Sequence, residues 1–103
     1  MNINKRTMRY LESLTGEKLT FSGLIHAIRL GEEMTQVEFA QSLGVSRQYL
    51  CDLEHGRRNV SPETAAGYAE ILGYSKEQFV RLCLQEMMDK AGLHLEVSIK
   101  RAA

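Results

Sequence analysis

Apolar residues recur at helical spacing along most of this chain, and glycine, serine and the single proline divide it into short segments. Met8, Leu11 and Leu14, followed by Gly16 as a stop, predict a first helix over roughly residues 5–14. Phe21, Leu24, Ile25 and Ile28 follow the i, i+3, i+4, i+7 pattern of a second helix with one buried face. Thr35 is placed to cap a helix holding Phe39, Ala40 and Leu43 that Gly44 closes, and Ser46 to cap one holding Leu50 and Leu53 that stops at Gly56. Two short helices thus meet at a very tight turn. Ser61-Pro62 opens a helix through Ala65, Ala69 and Leu72 that ends at Gly73. Ser75 with Gln78 reads as a capping box for a last helix running to about Ala91, with Gly92 behind it.

That last helix carries two apolar stripes. Phe79, Leu82 and Cys83 form one, and Val80, Leu84, Met87, Met88 and Ala91 form a second that continues after the first has ended. One core needs only one stripe, so the second is predicted to meet another chain; the N-terminal helix folded back onto it is the alternative. After Gly92 the period changes. Leu93, Leu95, Val97 and Ile99 alternate with polar residues, which predicts a half-buried strand. A lone strand leaves its backbone groups unpaired, and no other segment of similar quality offers it a mate, so it too is predicted to pair with its symmetry copy.

The segment from Gln36 to His55 carries the most specific signal. Ala40 is small where two helices cross closely, Gly44 allows the left-handed backbone of the turn, and Phe39, Leu43, Val45, Leu50 and Leu53 wedge the pair against a core. These residues, at these offsets, resemble the helix-turn-helix of the phage repressor and Cro family, the Xre-like regulators. The resemblance extends from about Phe21 to Leu72. It implies an all-α, lambda-repressor-like five-helix domain, to which the N-terminal helix and C-terminal strand are additions. The division expected is an extension over residues 1–20, a DNA-binding domain over 21–74 and a dimerising helix and strand over 75–103.

In such a fold the second helix of the pair enters the major groove with its N-terminal residues facing base edges. By position, the resemblance offers Arg47, Gln48 and Asp52 to the bases, with Tyr49 flanking them. Arginine can donate two hydrogen bonds to guanine, and glutamine can pair with adenine as donor and acceptor. Asp52 is less expected there: it could accept from cytosine or orient Arg47. Gln36 and Ser46, at helix N-termini, and Arg57, Arg58 and Asn59, after the recognition helix, match phosphate-contacting positions. Arg29 and Glu54 match a pair that forms a salt bridge between the first and third core helices in many relatives.

Composition changes this picture little. At 103 residues, with 44% hydrophobic and 25% charged, the chain has room for one compact domain with short extensions. Thirteen Lys and Arg balance thirteen Asp and Glu, so any basic footprint must be local, as at Arg47, Arg57 and Arg58. No apolar run approaches a membrane span, and Met1–Arg6 lacks the apolar core of a signal peptide, so the expected location is cytoplasmic. Cys51 and Cys83 form no CxxC and are read as reduced thiols. The scattered histidines, and cysteines without a base beside them in sequence, give no catalytic constellation, metal motif or cofactor loop. The expected function is a homodimeric regulator, in the first place a repressor, binding double-stranded DNA at an inverted repeat. The alternative on the same fold is an antitoxin that binds a toxin protein and represses its own operon.

Overall fold

The computed structural model of the protein describes residues 19–102. Among them it contains five α-helices and no strand. The predicted first helix over residues 5–14 lies outside the described residues. None of the helices described is long and apolar enough to cross a membrane. The chain falls into two compact units, divided after Asn59.

The unit over residues 21–59 holds α1 (Phe21–Gly31), α2 (Gln36–Leu43) and α3 (Arg47–Glu54). Helix α1 buries Phe21, Leu24, Ile25 and Ile28, the stripe expected from their spacing. Thr35 opens α2 with a complete capping box: its hydroxyl accepts from the Glu38 amide, and the Glu38 carboxylate accepts from the Thr35 amide at 3.0 Å. Gly44 ends α2 at φ +72°, donating toward the Ala40 and Gln41 carbonyls while Val45 N–H reaches the Ala40 carbonyl at 3.0 Å. Only the left-handed conformation turns the chain this sharply, and glycine adopts it without penalty. Ser46 then caps α3 by accepting from the Tyr49 amide at 3.0 Å. Helix α3 packs on both α1 and α2 through the fully buried Leu50 and Leu53.

The second unit holds α4 (Pro62–Leu72) and α5 (Lys76–Lys90), which pack against each other. Ser61 caps α4, with Pro62 at the first helical position where its missing N–H costs nothing. Helix α5 buries Phe79, Leu82 and Cys83, while Val80, Leu84, Met87 and Met88 of its second stripe are half-buried and Ala91 is exposed. The capping box expected at its start is only half formed. Ser75 accepts from the Gln78 amide at 3.2 Å, but the Gln78 side chain turns to accept from Arg81 at 3.1 and 3.2 Å. A guanidinium one turn along outcompetes a single backbone N–H for that amide oxygen.

The predicted C-terminal strand is corrected. The backbone from Leu93 to Ile99 is irregular, and its alternation does not mark a buried face: Leu93, Leu95 and Ile99 are exposed and only Val97 is half-buried. A glutamine supplies the mate that a strand would have needed. The buried Gln85 donates to the Leu95 carbonyl at 2.8 Å and accepts from the Val97 amide at 2.7 Å. One side-chain amide thus satisfies the same donor and acceptor that a ladder partner would. Farther along, Arg101 bonds to Glu77 at 2.7 Å.

Candidate nucleic-acid interface

The site is built around one buried carboxylate. The Glu54 side chain, at the end of α3, is 2% exposed. Arg29 of α1 meets it with both prongs of its guanidinium, Nε to Oε2 at 2.7 Å and Nη2 to Oε1 at 3.0 Å. The third nitrogen of the fork donates to the Met34 carbonyl at 3.1 Å, so one side chain ties the loop after α1 to the base of α3. Two more groups share Oε1: His26 Nδ1 at 2.9 Å and Gln36 Nε2 at 3.4 Å. Facing a carboxylate, that histidine nitrogen carries a proton and donates it. Burial alone would raise the Glu54 carboxyl, but the hydrogen bonds from Arg29, His26 and Gln36 outweigh it and hold it below the ordinary value of 4.5.

The Arg29–Glu54 pair expected from the resemblance is therefore present, and its two further partners were missed. His26 lies three residues before Arg29 on the same helix, a spacing that places their side chains together and was legible. Gln36, expected at a phosphate, has its amide turned to Glu54.

With Glu54 neutralised below it, α3 presents its outer face. Arg47 and Gln48 are exposed at the N-terminal end, and Tyr49 and Asp52 are half-exposed beside them. Among the described residues the Arg47 guanidinium takes no hydrogen-bonding partner, so Asp52 does not orient it. Asp52 Oδ1 instead accepts from Gln48 Nε2 and from Arg57 Nε, each at 3.1 Å. Arg57 holds the Asp52 carboxyl below its usual range; partial burial opposes the shift and Gln48 adds to it.

The loop after α3 is anchored rather than loose. Arg57 N–H donates to the Asp52 carbonyl at 2.8 Å, and its Nη2 lies 3.4 Å from Cys51 Sγ. The Arg58 guanidinium carbon lies over the Tyr49 ring, 4.4 Å from its centroid. Arg58 and Asn59 are exposed, and Ser46 is held as the cap of α3. Sequence reasoning also missed His55, the C-cap of α3, whose Nδ1 lies 2.8 Å from the Cys51 carbonyl and 3.6 Å from Cys51 Sγ, although the four-residue spacing across a helix end signals it. Cys51 and Cys83 are free thiols, half-buried and buried respectively.

The balance of charge follows. Glu54 is answered by Arg29 and Asp52 by Arg57, which leaves Arg47 and Arg58 uncompensated on the outer face of α3 and its loop. A chain of zero net charge can offer a positive surface in this way.

Comparison with known proteins bears on the same region. The family model described as "Helix-turn-helix" matches residues 25–79, more than half of the chain. The immunity repressor protein of Bacillus phage phi105 is 40% identical over 55 residues, an alignment covering 53% of this chain and 38% of that relative. The chain thus spans well under half the length of that relative. No solved structure matches the chain. By its family match and by the capped α2, glycine turn and exposed α3 that realise the motif, this chain belongs to the helix-turn-helix family, of the phage repressor and Cro kind.

Proposed function

We propose that this protein is a DNA-binding transcriptional regulator, a repressor that acts as a homodimer on an inverted-repeat operator. The observation that carries the reading is the outer face of α3: Arg47 and Gln48 stand exposed at a capped helix N-terminus, flanked by an anchored loop bearing Arg57 and Arg58. Placed in a major groove, Arg47 suits guanine and Gln48 suits adenine, with Tyr49 and Asp52 beside them. Ser46, Arg57, Arg58 and Asn59 are assigned to phosphates, where they fix register without reading sequence, and Gln36, whose side-chain amide is turned to Glu54, is assigned to one through its backbone N–H at the start of α2. Repression is the role named for the phage relative.

The second copy is assigned to the half-buried Val80, Leu84, Met87 and Met88 of α5 with the tail residues Leu93, Leu95, Val97 and Ile99. Leu93 and Leu95 are 46% and 57% exposed, which favours an apolar protein partner at this end. A toxin protein is the alternative occupant, and sedimentation of the purified chain separates the two.

Selection from random DNA tests the reading. The expected product is an inverted repeat with half-site centres about 34 Å apart, because a two-fold dimer imposes its symmetry on its site. Arg57→Ala should weaken all sequences alike, whereas Gln48→Ala should cost about 1 to 3 kcal/mol at one base pair of each half-site. Failure to enrich any sequence would sink the regulator reading.

A further inference from the structure

Asp52 does not face the groove as a free acceptor. Its Oδ1 is engaged twice, by Gln48 from the preceding turn of α3 and by Arg57 from the loop beyond it. The carboxylate can only accept, so the Gln48 amide must turn its nitrogen inward, and its orientation is fixed by chemistry. One of the two amide N–H groups is spent on Asp52. The outward edge of Gln48 is left with one donor, the second N–H, and one acceptor, Oε1.

That edge matches one purine and mismatches the other. In the major groove adenine presents an acceptor at N7 and a donor at N6, whereas guanine presents acceptors at both N7 and O6. An unrestrained glutamine can turn both amide hydrogens toward guanine. A glutamine tied to Asp52 has only one to give, and its Oε1 would face the guanine O6 acceptor against acceptor.

We infer that Asp52 is a specificity-determining positioning residue: by holding Gln48 it makes that side chain select adenine over guanine, and it reads no base itself. The inference rests on the proposed reading of α3 as the recognition helix. Arg57, held by the same oxygen through Nε and lying against Cys51 Sγ through Nη2, keeps Nη1 for phosphate, so one carboxylate sets the geometry of a base reader and a backbone contact together.

The test compares the full-length wild type with Gln48→Ala, Asp52→Ala and Asp52→Asn by selection from random DNA, followed by anisotropy titrations on operators carrying A·T or G·C at the base pair that Gln48→Ala relaxes. Wild type should prefer A·T there by about fivefold or more, and Asp52→Ala should bring the ratio to within about twofold while leaving the preference set by Arg47 intact. Asp52→Asn keeps Oδ1 as an acceptor and should retain most of the wild-type ratio; a merely structural role for Asp52 would move every base pair together. Thermal melts confirm that the variants fold, and Asp52→Leu, which also removes the acceptor at Oδ1, carries the comparison if Asp52→Ala does not fold. An unchanged A·T to G·C ratio in Asp52→Ala, or an Asp52→Asn ratio as relaxed as that of the alanine variant, overturns the inference while leaving the DNA-reading role standing. A wild type that enriches no sequence overturns both.

Discussion

At Glu54 burial and charge oppose each other, and the outcome can be measured. Taking a carboxylate to 2% exposure costs several kcal/mol of desolvation, which the two-pronged bond from Arg29 and the contacts from His26 and Gln36 must offset. Arg29 is itself only 13% exposed, so removing either partner leaves the other with an uncompensated charge. We expect Glu54→Ala to cost about 3 kcal/mol, the low end for breaking a buried pair because His26 opens one side to water. The double variant with Arg29→Ala should cost clearly less than the sum of the singles, by about 1 kcal/mol or more in urea melts; additive losses would remove the coupling. The pair also sets a dependence on pH. Because the folded-state Glu54 carboxyl lies below its ordinary value of 4.5, its contribution is complete above that value and is lost as pH falls through the lower folded-state value. The stability gap between wild type and Glu54→Gln should therefore narrow from about pH 5 downward, and a gap that widened on acidification would contradict the assignment.

Individual helices show how local rules positioned the recognition surface. Thr35, Ser46, Ser61 and Ser75 all accept from the backbone as their residue types suggest, because a cap depends on bonds within three residues. Two glycines separate conformation from space. Gly44 sits at φ +72° and a Cβ there would meet nothing within 4 Å, so Gly44→Ala should cost about 1 to 2 kcal/mol through backbone strain alone. Gly67 lies inside α4 at an ordinary helical conformation with the same open space, and Gly67→Ala should stabilise by about 0.5 to 1 kcal/mol. Thermal melts that moved in the same direction for both would contradict this account. The helices were legible because their start and stop signals are local, and the exposed face of α3 followed from the resemblance carried by Ala40, Gly44 and Leu50. What could not be read were bonds that close across gaps in sequence: Asp52 to Arg57 past the end of α3, Gln36 to Glu54 across eighteen residues, and Gln85 to Leu95 and Val97. An alternating pattern predicts a strand only if another backbone lies alongside, and here a side chain took that place.

For the molecule as a whole, the consequence lies in what is left uncovered. Leu93, Leu95 and Ile99 are exposed on the described chain, so changing them alters little inside it. If a second copy covers them, replacing all three with serine should leave the melting curve at low concentration unchanged yet weaken the dimer in sedimentation equilibrium, and operator affinity should fall with it. A triple variant that dimerises as tightly as wild type would place the dimer contact elsewhere. The glutamine that holds this tail leaves a kinetic signature. A stretch of irregular backbone ordinarily trades its amide protons with water at nearly the rate of an unfolded peptide. Val97 should not, since its N–H is lodged on a buried carbonyl oxygen at 2.7 Å. In deuterated buffer its proton should outlast those of its neighbours by roughly fivefold, the factor that a net hydrogen bond of about 1 kcal/mol supplies. Gln85→Leu should erase that slow proton and leave the slow amides of α4 and α5, and the Leu93 amide bonded to the Met88 carbonyl, as they were.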